Sequence, residues 1–255
     1  MFSSYTLTVK MKYERNGDNK FNNFTGKISK IVVLTELPEL EVLFRPTKGF
    51  FKPIHVSPPI NKEAVYPYYE RGVLKEVPLD GEYKIRVGLP NELSKGFEEK
   101  VKGDLGVRTR IKVEGGLLEF VIERIEKDTF NFGNRVKLCF SPTLLANPFI
   151  TNRDYRKFFP SPSAVFWIPY ALMKNKNNLT PQELAEIESR ITESWKTRIK
   201  TIWIPYDNGK EPVMIGKVEY RLLKNDDETR KLVETALIIG VGSSRASGFG
   251  HVELC

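Results

Sequence analysis

The sequence is short of the residues that build metal centres and covalent frameworks. Among 255 residues there are two cysteines, Cys139 and Cys255, and two histidines, His55 and His251. Two cysteines make neither a disulfide framework nor a zinc cluster, and the histidines add no metal-binding spacing. Cys255 ends the chain and is expected to be mobile, so a Cys139–Cys255 disulfide is not the expected state. No metal and no cofactor is expected. Long apolar runs are missing too: the longest patch, residues 164–173, is broken by Pro169 and is too short to cross a bilayer. The N-terminus alternates apolar and polar residues and lacks the apolar centre of a signal peptide. The expectation is an intracellular, cytoplasmic protein with no membrane partner. Clustered carboxylates at a strand end, as a metal-dependent nuclease requires, are also lacking. Asp226, Asp227 and Glu228 suit the positive end of a helix dipole instead.

What is present is positive charge. The chain carries 40 Lys and Arg against 32 Asp and Glu, a net +8. Each half has an excess of four, so the charge is no basic tail. Such a surface favours a polyanionic partner such as nucleic acid. Forty per cent hydrophobic residues suffice for a core, and the length suits one large domain or two small ones.

The periodicities give an order of elements. Tyr5, Leu7, Val9 and Met11 share one face of a first strand, with Thr6, Thr8, Lys10 and Lys12 on the other. A helix over about 24–36, capped by Asn22 or Asn23, buries Ile28, Val32 and Val33 and sets Lys27 and Lys30 on one face. Strands near 50–57 and 84–89, a helix from Asn91, and strands at 108–113 and 117–125 around Gly115-Gly116 follow. Strand, helix, strand, strand, helix, strand is the ferredoxin-like arrangement. The second half repeats it loosely. A strand at 135–140 precedes helices at 163–173 and 181–199, the latter capped by Thr180 with Pro181 behind it. Strands near 200–205 and 212–223 flank Asp207-Asn208-Gly209, and a helix over 226–239 leads to a last strand at 249–254. The expected fold is α+β, two tandem ferredoxin-like domains spanning residues 1–130 and 131–255.

The helix at 226–239 runs into Gly240-Val241-Gly242-Ser243-Ser244-Arg245-Ala246-Ser247-Gly248-Phe249-Gly250. Four glycines in eleven residues free the backbone for positive φ and close approach. Amides in such a loop can cradle phosphate oxygens, the three serines add hydroxyls, and Arg245 adds a charged fork. A dinucleotide fingerprint is excluded by Arg245 and by the element order, and the P-loop lysine is absent.

Helix, then G-x-G-x5-G-F-G, then a final strand resembles the glycine-rich loop of the CRISPR RAMP superfamily, and its place at the C-terminus resembles the Cas6 family. Residues 140–145, FSPTLL, are similar to the family's SPT segment, and residues 52–57, KPIHVS, to its KP-hydrophobic-x-x-S strand. The resemblance runs in order over nearly the whole chain and is closest to archaeal members. It implies binding of CRISPR repeat RNA and metal-independent cleavage by a ribose 2′-OH, leaving a 2′,3′-cyclic phosphate and a 5′-OH. It also leaves room for a CRISPR effector complex and a homodimer as partners.

Many relatives carry a histidine just after the first helix; residues 37–49 here contain none. The resemblance to relatives that use basic clusters points to Lys30, Lys52 and Arg245 as catalytic residues, with His55 the rival. RNA contacts are expected from Gly240, Gly242, Ser243, Ser244, Arg245, Ser247, Gly248 and Gly250. Arg153, Arg156 and Lys157, interleaved with aromatics, and Arg108 and Arg110, alternating on one strand face, are further candidates. The missing histidine keeps open a non-catalytic RAMP subunit that only binds RNA. The aromatic signature of an ordinary RNA-recognition module is not evident.

Overall fold

The computed structural model describes residues 1–45, 51–148 and 156–255. The N-terminal half comprises β1 (Phe2–Glu14), α1 (Gly26–Glu36), β2 (His55–Val56), the hairpin β3 (Tyr68–Glu70) and β4 (Val73–Lys75), β5 (Asp80–Pro90), α2 (Asn91–Gly103), β6 (Arg108–Val113) and β7 (Gly116–Lys127). The antiparallel order β6-β7-β1-β5, with β2 outside β5, contains the ferredoxin-like order β7-β1-β5-β2, widened by β6 and by short edge strands at Ile60–Asn61 and Glu63–Ala64. Alternation in β1 buries Tyr5, Leu7, Val9, Met11 and Tyr13 against Ile28, Val32 and Val33 of α1 and Phe97 and Val101 of α2.

The C-terminal half comprises β8 (Arg135–Thr143), α3 (Pro162–Met173), α4 (Pro181–Arg190), β9 (Ile191–Glu193), β10 (Arg198–Tyr206), β11 (Gly209–Leu222), α5 (Asp227–Ile239) and β12 (Val252–Leu254). Its order β12-β8-β11-β10 repeats the ferredoxin-like pattern. The two tandem ferredoxin-like units expected from the sequence are both present.

Several boundaries differ from the periodicity reading. The helix expected over 181–199 stops at Arg190, whose guanidinium bonds Glu186, Asp226 and Thr229. Ile191 and Thr192, β-branched and poor helix formers, then pair with β11 as strand. The cap of α1 is Thr25 and not Asn22 or Asn23; its hydroxyl donates to the Val65 carbonyl at 2.5 Å. Thr6 and Thr8 are buried as well, because α5 packs across that face of the sheet. The β3–β4 hairpin, from the N-terminal half, extends the C-terminal sheet beyond β10 through the Trp203–Tyr69 rung.

Cys139 and Cys255 form a disulfide, with Cα atoms 5.7 Å apart. This corrects the expectation of a mobile C-terminus. The terminal strand is ordered by pairing with β8, and the Cys255 amide donates to the Lys137 carbonyl at 3.0 Å. That places the two thiols on adjacent strands within bridging reach. No helix is long and apolar enough to cross a membrane among the described residues.

Candidate active site and RNA interface

The helix α5 ends at Gly240, and the following loop folds back into contact with both halves. Its amides are largely used within the protein. Val241 N–H donates to Gly250 O at 2.8 Å, Ser243 N–H to Leu144 O at 2.9 Å, and Gly250 N–H to Pro142 O at 2.8 Å. The residues that resemble the SPT segment therefore serve as the floor of the loop.

The four glycines are buried and have positive φ. A Cβ on Gly250 would lie 1.8 Å from the Val241 carbonyl oxygen, and one on Gly248 2.4 Å from the Gly26 Cα. The loop thus presses backbone to backbone against the first turn of α1, where Phe249 and Phe24 rings pack 4.3 Å apart. Gly240, Gly242, Gly248 and Gly250 make close packing, not an open amide cradle. Ser244 is exposed, and Ser243 and Ser247 are half-buried. Ser244 holds φ 57°, a left-handed backbone rare for a residue with a side chain.

Arg245 is buried, 4% exposed. Its guanidinium donates to Ile239 O at 2.9 Å and to Lys52 O at 2.8 Å. The first of these carbonyls lies at the negative end of α5, so the helix dipole favours the buried cation. Burial pushes the guanidinium down to about 9, still protonated at neutral pH. Arg245 ties the glycine loop to the KPIHVS segment and keeps its charge inside.

His55 is fully buried beside it. Nδ1 lies 3.2 Å from Arg245 O, and Nε2 lies 3.2 Å from His251 Nδ1. A carbonyl can only accept, so His55 carries its proton on Nδ1 and His251 donates from its own Nδ1. Burial, with Arg245 second, lowers His55 to about 3; burial, then Arg86 and His55, holds His251 well below the usual imidazole range. Both rings are neutral struts between the two halves, and neither is open to a substrate.

Lys30 and Lys52 remain at the surface of this junction, both half-buried. Lys52 Nζ donates to Phe44 O at 2.5 Å, and Lys30 Nζ lies 5.3 Å from the Phe44 ring centroid. Burial and the charges of Lys30 and Arg245 push the Lys52 ammonium down. Lys52, and not Lys30, also lines a cleft of about 290 Å³, together with Phe51, Pro53, Leu172, Asn175 and Lys176. Phe44 and the end of α3 had no signal in the sequence. Lys27, on the same helix face as Lys30, is engaged by Asp207 at 2.6 Å and Glu114 at 3.4 Å.

The remaining basic candidates do not gather here. Arg108 and Arg110 both pair with Glu119, at 3.4 and 2.5 Å, so their track is partly neutralised. Arg156–Lys157 is a two-residue strand against Leu145–Ala146, and Arg153 lies outside the described residues. Among the described residues no three His, Cys, Asp or Glu side chains gather as metal ligands.

A solved structure described as an RAMP protein binding different RNA substrates shares this tandem ferredoxin-like fold, at 14% identity and a TM-score of 0.58 over 99% of both chains. In sequence, residues 139–252 match the profile of the CRISPR-associated endoribonuclease Cas6 family. A solved Cas6 product complex is 14% identical with a TM-score of 0.63, covering 100% of both chains. Cas6 from Thermus thermophilus is 14% identical with a TM-score of 0.58, covering 100% of this chain and 98% of that one. A Cas6-related structure from Pyrococcus furiosus is 13% identical with a TM-score of 0.60, covering 99% and 98%. These identities make the likeness one of fold, and it favours neither the archaeal nor the Thermus protein. No curated protein sequence matches the chain.

Proposed function

We propose that this chain is a Cas6-type endoribonuclease that binds CRISPR repeat RNA and cleaves it once per repeat without a metal ion. The observation that carries the reading is the convergence of Lys30 and Lys52 on Phe44, with Lys52 lining a cleft, at the point where the glycine loop is anchored. The Cas6 profile match over residues 139–252 supports the same reaction.

The RNA supplies its own nucleophile. The 2′-oxygen attacks the adjacent phosphorus, the bond from phosphorus to the 5′-oxygen breaks, and a cyclic phosphate is left. The hydroxyl proton passes to solvent, and the leaving 5′-oxygen takes one from Lys52. A lysine whose ammonium is destabilised by burial and like charge is a better acid than an ordinary one. Lys30 stabilises the charge that grows on the phosphorane oxygens. Ser243, Ser244 and Ser247 offer hydroxyls to the flanking phosphates. Arg245 acts through the loop and does not touch substrate.

The test is incubation with CRISPR repeat RNA in EDTA, with both product ends mapped. A single cut leaving a cyclic phosphate and a 5′-OH is expected; cleavage that needs added divalent cation would overturn the mechanism. The burial of both histidines favours one second reading, an RNA-binding RAMP subunit without activity. That reading predicts tight repeat binding with no product.

A further inference from the structure

Among the described residues, the most exposed of the large hydrophobic aromatics lies 45 residues before the glycine loop. Trp195 is 89% exposed. It sits where the strand beside β11 is interrupted. The rungs Glu193↔Tyr220 and Arg198↔Lys217 leave four residues, 194–197, opposite two on β11. Bulges of this kind re-aim a side chain out of the sheet. The turn is ordered: Ser194 N–H donates to Glu219 O at 2.7 Å, and the Thr197 hydroxyl donates to Ser194 O at 2.9 Å. The indole is held outward by a hydrogen-bonded turn.

The face of the sheet next to it is strongly basic. Residues paired across antiparallel strands point to the same side. The rungs Arg135↔Arg221, Cys139↔Lys217 and Arg198↔Lys217 therefore place Arg135, Lys137, Arg198, Lys200, Lys217 and Arg221 on one face. All six are exposed. Glu219, opposite Lys137, and Glu253, opposite Cys139, are the carboxylates on those rungs. Unlike Arg108 and Arg110, which Glu119 holds, none of the six is within ion-pair distance of a carboxylate among the described residues.

We propose that this open sheet face is a second RNA-contact surface, on which a single-stranded segment runs its phosphates along the cations and stacks a base on Trp195. The proposal rests on the reading of the chain as a repeat-RNA nuclease and adds where RNA away from the cut is held. Unpaired cations beside an outward indole are the two components of a single-strand track, one for phosphate and one for the face of a base. An RNA backbone complements the charge of this face, and a basic surface does not.

The experiment is fluorescence anisotropy of labelled repeat RNA against the full chain, W195A, W195F and K217Q/R221Q, over a range of salt. W195A is expected to weaken binding about 5- to 150-fold, the span of one lost base stack, with W195F retaining most of the affinity. K217Q/R221Q is expected to flatten the plot of log affinity against log salt by about 1.4, from two phosphate contacts on a single strand. Single-turnover cleavage at saturating protein should be unchanged in all three. Since every substituted side chain is exposed, unfolding midpoints should hold, which separates lost binding from lost fold. Unchanged affinity and salt slope in W195A and K217Q/R221Q, with cleavage proceeding, would overturn this surface alone. Failure of the wild-type chain to bind repeat RNA at all would overturn the nuclease reading with it.

Discussion

The Arg245 guanidinium reaches across 193 residues of sequence to the backbone carbonyl of Lys52, at 2.8 Å. The contact fixes the glycine loop to the segment that carries the proposed proton donor. Removing a buried guanidinium leaves two carbonyls unpartnered, at a cost of about 1–3 kcal/mol for each. R245A should lower stability in denaturant titration by several kcal/mol at most and cleavage with it. R245K should recover little, since one ammonium does not reproduce the planar fork.

Lys52 is the residue whose loss should separate chemistry from binding. K52A is expected to slow single-turnover cleavage by about 10²–10⁴ while repeat affinity changes little. Its ammonium is pushed down by burial, Lys30 and Arg245. The K30A variant removes one of those charges, so the basic limb of the rate profile should move to higher pH. Equal cleavage by wild type and K52A would assign proton donation elsewhere.

Gly250 sits at φ 68° with the Val241 carbonyl where a Cβ would be. G250A should destabilise the loop and abolish cleavage. At Gly133 an added Cβ would meet nothing within 4 Å, and G133A should leave both the unfolding midpoint and the rate in place.

Stability should depend on pH through the paired histidines. His55 drops from 6.5 to about 3 on folding, and His251 also falls. Between those values the unfolded chain binds protons that the folded chain refuses, so stability is full above about 6.5 and declines as pH falls toward 3. Each histidine contributes a slope of up to about 1.4 kcal/mol per pH unit in that window. Denaturant titrations at pH 7 and 5 check this, and H55Q should reduce the slope.

The disulfide closes a loop with a sequence separation of 116. Such a crosslink is worth about 2–4 kcal/mol through the unfolded state. C255S should lower the unfolding midpoint, and reductant should lower that of the wild type to match. Thiol labelling of the unfolded, non-reduced chain should find no free cysteine.

Sequence periodicity located most elements because alternation and helical spacing are properties of one strand or one helix face. Asn91–Gly103 and Arg108–Val113 stand where the pattern set them. It overran α4, since Ile191 and Thr192 continue an apolar spacing that only pairing with β11 resolves as strand. It was silent on β3 and β4, whose short segments have no period and gain order from a sheet formed by the other half.

The candidate site divides in the same way. Spacing and composition alone determined that the chain has two ferredoxin-like repeats, a basic surface and a glycine loop before its final strand. The resemblance to the Cas6 family, and not composition, singled out Lys30, Lys52 and Arg245, with His55 as the rival. Which of these four meets solvent was decided by tertiary structure. His55 is the better general base on paper and Arg245 the better phosphate fork, but both are buried as struts, 0% and 4% exposed, and the two lysines are left half-buried at the surface. The reason is physical: burial, carbonyl partners and like charge depend on neighbours nearly two hundred residues away in sequence, and local pattern holds no record of them.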